Sequence, residues 1–181
     1  MKKAIFLDRD GTVNVDTEYP SDPADIVLLP EIVPVVKAAN RAGMPVVIVT
    51  NQSGIARGYF GWREFGAVNG RVLDLLAAEG AGVDLVLACA YHEKGTGPLA
   101  VAGHAMRQPN PGMLLLAAER LDIDLAGSIM VGDKPSDMEA GRRAGLSRLF
   151  LVGNDTNENV DATEPASVVR LLDAIGTAAA R

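Results

Sequence analysis

Three observations predict an α/β domain with a central parallel sheet covered by helices on both faces. Short apolar runs rich in β-favouring residues stop abruptly at Asp8, at Asn51 and at Gly132. Segments with apolar residues at the helical period lie between such runs, which is the alternation of a parallel sheet with right-handed crossovers. With 181 residues, 48% of them hydrophobic, the chain suits one domain spanning 1–181 with a sizeable core.

The first strand is read from Ala4 to Leu7 and is followed by a loop rich in Asp and Pro, Asn14 to Pro30. A helix over Ile32 to Ala42 is stopped by Gly43. Val46 to Thr50 is the second strand. From about Trp62 to Glu79 a second helix gathers Phe65, Val68, Val72, Leu75 and Leu76 on one face. Leu85 to Ala88 makes the third strand.

The connection from Tyr91 to Pro111 is longer than most loops between strand and helix, and such loops are usually functional. Pro111 and Gly112 open a helix through Met113, Leu114, Ala117 and Leu121, and Ser128 to Val131 is the fourth strand. A helix across Met138 to Ala144, stopped by Gly145, leads to a fifth strand at Leu149 to Val152. Gly153 to Thr163 reads as a loop, and Pro165 starts a terminal helix. The sequence contains no internal repeat, low-complexity tract or linker.

A net charge of −6 argues against nucleic acid as a general partner, though not against a local pocket for a small anion. The apolar run at the amino terminus is too short for a secretion signal, and no segment approaches the roughly 20 apolar residues of a membrane span. One cysteine, Cys89, excludes an internal disulfide framework. A cytoplasmic monomer that binds neither membrane nor nucleic acid is the expectation.

The chemistry is expected where the strands end. Asp8 and Asp10 sit on alternate residues of one glycine-containing turn, and two carboxylates about 4 Å apart repel by roughly 4 kcal/mol at an effective dielectric near 20. A cation or a shared proton is therefore expected beside them. Thr50 and Asn51 offer a hydroxyl and an amide at the end of the second strand, although Thr50 alone also reads as an ordinary β-branched strand residue. Asp133, Lys134 and Asp137 follow the fourth strand. Asp137 suits either a cap of the helix that begins near Pro135 or the orienting of Lys134 or a metal-bound water.

FLDRDGT, VTNQSG and VGDKPSD, in this order and spacing, resemble the haloacid dehalogenase (HAD) superfamily of phosphohydrolases. DRDGTVN, TNQSGIARG and PNPGM are similar to its heptose-bisphosphate and histidinol-phosphatase-like branch. The resemblance covers about residues 4 to 152 and implies a three-layer, Rossmann-like, HAD-like fold without a separate cap domain. It implies a Mg²⁺-dependent phosphomonoester hydrolase that removes the C7 phosphate of a heptose 1,7-bisphosphate, with histidinol phosphate or another small phosphomonoester as the alternative.

By the same resemblance, Asp8 is the nucleophile that forms an aspartyl phosphate and Asp10 the general acid and base. Asp8, the backbone carbonyl of Asp10 and the side chain of Asp133 would hold Mg²⁺, which prefers near-octahedral oxygen ligands. Thr50, Asn51 and Lys134 would attend the phosphoryl group. Arg57 and Arg107 would anchor the rest of the substrate, since a planar guanidinium grips two phosphate oxygens at once.

Two departures from the family pattern stand out. Gln108 occupies a position where many relatives carry lysine, so the chain is expected to be slowed, or reduced to a phosphosugar binder, unless Arg107 or Lys134 compensates. Relatives often close the long loop on zinc with three cysteines and a histidine. Here the region offers Cys89, His92 and His104, with Tyr91 and Met106 near the other expected positions. Structural zinc is therefore not expected, and Leu99 and Val101 are read as apolar pins of that loop.

Overall fold

The computed structural model describes residues 1–153 and 168–179. Five strands, β1 (Ile5–Leu7), β2 (Val46–Asn51), β3 (Leu85–Cys89), β4 (Ile129–Gly132) and β5 (Arg148–Leu151), form one sheet in the order β3-β2-β1-β4-β5. Every pairing is parallel, with Phe6 opposite Val47 on one side and Met130 on the other. The helices are α1 (Ile32–Arg41), α2 (Ser53–Ala56), α3 (Trp62–Ala78), α4 (Gly112–Leu121), α5 (Pro135–Ala144) and α6 (Val168–Ala179).

Side chains alternate across a strand, so β1 points Ile5 and Leu7 to one face and Phe6 to the other. Ile5 and Leu7 join Val35 and Val36 of α1, Val72 of α3 and Leu171 of α6 in one core cluster. Phe6 joins Met113 and Leu114 of α4 and Met138 of α5 in the second. Burying an apolar side chain of this size stabilises by about 1.5–3 kcal/mol. The sheet is thus held between two helical layers, as expected.

The element bounds differ from the sequence reading in instructive places. α5 begins at Pro135, where the cap reading of Asp137 puts it and three residues before the apolar stretch at Met138, because Pro135 takes the first helical turn and Asp137 accepts the Lys134 N–H over 3.0 Å. Apolar periodicity starts only at Met138, so it marks the helix too late. α2, which no apolar period marks, is a single turn of four buried residues that begins one residue after β2. The expected loop beyond Gly153 and the helix start at Pro165 lie outside the described residues.

The strand order places the site. The chain leaves β1 toward β2 and β3, then returns to the opposite side of β1 for β4 and β5. A crevice opens beyond the carboxyl ends of the strands where this reversal occurs, between β1 and β4. The two long connections, 8–31 and 90–111, contain 3₁₀ turns at Pro23–Asp25 and Gly97–Leu99 and isolated bridges from Asn14 to Asp10 and Leu28, with no α-helix or multi-residue strand laid over the crevice.

Candidate active site

Asp8 follows β1 directly and its N–H donates to the carbonyl of Val131 on β4 over 3.0 Å. Asp133 follows β4, and Asp137 lies on the first turn of α5. One carboxylate oxygen from each of these three residues lies within 4.8 Å of the others. Two glycines permit this approach. Gly11 has φ +88°, and a Cβ there would collide with the Asp133 carboxylate; at Gly132 it would collide with Asp137.

Crowded carboxylates resist ionisation. Burial, followed by repulsion from Asp137 and Asp133, raises Asp8 well above the ordinary carboxylate range. Burial also raises Asp133, and it pushes Asp137 up to about 7. Burial opposes the Lys134 charge, but Asp133, Asp8 and Asp16 overcome it and hold the ammonium above its usual range. Its Nζ lies 3.4 Å from Asp16 and 3.7 Å from Asp133. Among the described residues, Asp133 Oδ1 is a buried oxygen without a partner. An all-oxygen, acidic donor set with an orphaned oxygen fits a hard divalent cation.

Asp10 is absent from this carboxylate group. Its side chain accepts two bonds from Arg9, of 3.0 and 2.7 Å, one from Asn14 of 3.0 Å, and one from Gln52 of 2.9 Å. The cation expected beside the two aspartates is in part Arg9, which is wholly buried. Gln52 Nε2 also donates to Thr50 Oγ1 over 2.8 Å. The Thr50 hydroxyl therefore accepts from Gln52 and keeps its own proton to donate.

Arg9, Asn14 and Gln52 were missed in the sequence. Arg9, flanked by two acids, carried a signal as a local counter-charge; Gln52 carried none, since its carboxylate partner Asp10 lies beyond the end of another strand.

Asn51, read as an amide offered to phosphate, lines the cleft, and its side chain also clips the long loop. Its Oδ1 accepts the Gln108 N–H over 3.1 Å and its Nδ2 donates to the Gln108 carbonyl over 3.2 Å. Gln108 is 4% exposed, and its side-chain Nε2 has no partner among the described residues. Together with Asp10, Gln52, Arg107, Lys134 and Tyr19 it lines a cleft of about 500 Å³. Arg107 donates to the Tyr91 carbonyl over 3.3 Å, and Arg57 donates to the Tyr19 hydroxyl over 3.0 Å.

Of the side chains considered for zinc, His104 sits in the long loop with other partners and Cys89 ends β3. The His104 ring stacks on Tyr91 with centroids 3.7 Å apart, and its Nδ1 accepts the Met106 N–H over 3.1 Å. Cys89 is buried, and burial pushes its thiol up. Leu99 packs against a small cluster of Ile55, Phe60 and Ala90, as its pinning role requires, while Val101 is not part of that cluster.

A family model described as HAD-hydrolase-like matches residues 105–175. The chain is 62% identical over 169 residues to a D-glycero-beta-D-manno-heptose-1,7-bisphosphate 7-phosphatase of Mesorhizobium japonicum, covering 93% of this chain and 76% of that protein. The crystal structure of a HAD-like phosphatase from Mesorhizobium loti superposes with a TM-score of 0.92 at 60% identity, covering 98% of this chain and 87% of the other. A D,D-heptose 1,7-bisphosphate phosphatase from B. bronchiseptica, crystallised with magnesium and phosphate, matches with a TM-score of 0.81 at 32% identity over 97% of this chain and 98% of its own. Sequence shared at this level along nearly the whole chain, with carboxylates converging at the reversal point of the sheet, leaves one conclusion: the chain belongs to the haloacid dehalogenase-like phosphatases, in the branch of the heptose-bisphosphate 7-phosphatases.

Proposed function

We propose that this phosphatase removes the C7 phosphate of a D-glycero-D-manno-heptose 1,7-bisphosphate through an aspartyl phosphate on Asp8. The carrying observation is the pairing of two differently held aspartates. Asp8 is buried against Asp133 and Asp137 at the end of the central strand, while Asp10, two residues on, lies outside that carboxylate group, lines the cleft and is held by Arg9, Asn14 and Gln52. One is placed to attack and the other to transfer a proton.

In the first step an Asp8 oxygen forms a bond to phosphorus, the bond from phosphorus to the C7 oxygen breaks, and Asp10 gives that oxygen a proton. In the second, water attacks the phosphorus, Asp10 takes its proton, and the bond to Asp8 breaks to release inorganic phosphate. The Thr50 hydroxyl and Lys134 hold phosphoryl oxygens. Asp8, Asp133 and the Asp10 carbonyl, with Asp137 in support, would hold Mg²⁺, which when bound would supply positive charge against the charge that gathers on the phosphoryl group. Arg57 and Arg107 anchor the remote phosphate, which a bidentate guanidinium suits.

Steady-state kinetics with magnesium test this reading, using heptose 1,7-bisphosphate beside histidinol phosphate. A kcat/KM about a hundred-fold or more in favour of the bisphosphate is expected, a difference of about 2.7 kcal/mol in transition-state binding. Equal or reversed preference overturns the substrate. Tight binding without turnover identifies a phosphosugar binder disabled at Gln108.

A further inference from the structure

Beside the cleft lies a second hollow of about 170 Å³, and Arg107 and Gln108 line both. His92 lines the smaller one. A backbone bond sets its ring: the Lys94 N–H donates to Nδ1 over 3.0 Å. A ring nitrogen that accepts carries no proton. Burial, together with the charges of Arg107 and Arg57, pushes the imidazole below the ordinary histidine range despite Glu93 nearby. With Nδ1 accepting, the neutral ring carries its one proton on Nε2.

That Nε2 lies 3.3 Å from Arg57 Nη2. Both atoms are then donors, and two N–H groups cannot satisfy each other. The rest of Arg57 is already committed in position. Nη1 donates to the Tyr19 hydroxyl over 3.0 Å, the guanidinium lies 5.8 Å from the Tyr19 ring centroid, and Nε is buried without a partner. Arg107 stands near enough that, after burial, repulsion from Arg57 lowers its proton affinity.

Donors of His92 and Arg57 thus meet at the edge of a hollow that His92 lines together with Arg107, and Glu93 is the one acidic side chain among the residues lining it. What resolves such an arrangement is a multiply charged group with several acceptor oxygens.

We infer that His92 is a ligand of the substrate's second phosphate, donating from Nε2 beside Arg57 and Arg107 to the phosphate remote from Asp8. The Lys94 bond fixes the donor tautomer before the substrate arrives, so the ring needs no rearrangement to bind. This inference rests on the bisphosphate reading above and adds a residue that selects between one phosphate and two.

The test compares wild type, His92→Leu and His92→Gln on heptose 1,7-bisphosphate and on the same sugar with only the C7 phosphate. Loss of a contact made equally in the ground and transition states raises KM and spares kcat, so the leucine variant should raise KM for the bisphosphate by about ten-fold and by less than about two-fold for the monophosphate. The glutamine variant, whose amide N–H reaches toward the same point, should recover most of that loss. An equal loss on both substrates, or none on either, overturns the role of His92. A wild-type enzyme that does not distinguish the two substrates overturns the bisphosphate reading itself and this inference with it.

Discussion

Arg9 is completely buried and holds its chain neighbour Asp10 in a fork, Nε to one carboxylate oxygen at 3.0 Å and Nη2 to the other at 2.7 Å. The guanidinium lies 5.4 Å from the Phe65 ring centroid, so α3 sits against this arginine as well. A fork of this kind fixes the plane of the carboxylate as well as its position. With Asn14 and Gln52 added, Asp10 is held from three sides.

Arg9→Lys keeps the charge and loses the fork. Its kcat should fall at least ten-fold with little change in KM, because an off-line proton donor harms the transition state alone. Arg9→Met should also lose about 3–5 kcal/mol of stability in urea unfolding, since it strands Asp10 without its partner. Wild-type kcat in the lysine variant would show that Asp10 needs no such alignment.

Asp8→Asn should abolish turnover while the protein remains folded, because it removes the nucleophile. Circular dichroism beside a phosphate-release assay reads both properties, and a tenth or more of wild-type kcat rules out the covalent route. Asp10→Asn should harm heptose phosphate more than an aryl phosphate, whose leaving oxygen needs no proton. Equal losses on the two substrates contradict the acid role.

Gln108 presents a buried amide nitrogen without a partner to the cleft. Placing a cation there should strengthen the field on the phosphoryl group, so Gln108→Lys should raise kcat about ten-fold or more, roughly 1.4 kcal/mol in barrier. Arg107→Ala is the companion variant. An unchanged kcat in the first with a large loss in the second means that Arg107 already supplies the charge.

The crowded carboxylates also make a pH prediction. Asp8, Asp133 and Asp137 are all raised when folded, so the metal-free native state binds more protons than the unfolded chain. Their contribution to stability is full below pH of about 4 and is lost as the pH rises through about 7, the value for Asp137. Metal-free Tm should therefore decline more steeply over this window in wild type than in Asp137→Asn, which keeps the helix-capping oxygen. Added Mg²⁺ should raise Tm more at pH 8 than at pH 6, because its ligands must be deprotonated. A steeper decline in the asparagine variant contradicts this assignment.

The five strands were legible because each is a short, largely apolar run, buried through β1, β2 and β4, and a parallel sheet covered on both faces demands such runs. The acidic ends of β1 and β4 were equally legible. Adjacent carboxylates in a turn leaving a strand are a local pattern, and the family resemblance added their roles. The late marking of α5 shows the limit of periodicity: a helix start is written in caps, here Pro135 and Asp137, before any apolar face begins.

What the sequence by itself determined, then, was which segments are buried and which chemistry sits at their ends, since both follow from neighbours along the chain. The tertiary structure decided the partners. Asn51 turned out to clip Gln108 across 57 positions, and Gln52 to reach Asp10 across 42. The donor pair of Arg57 and His92 spans 35. Hydrogen bonds act over about 3 Å, and only the packing of β1, β2 and the long loop brings such distant residues within that reach.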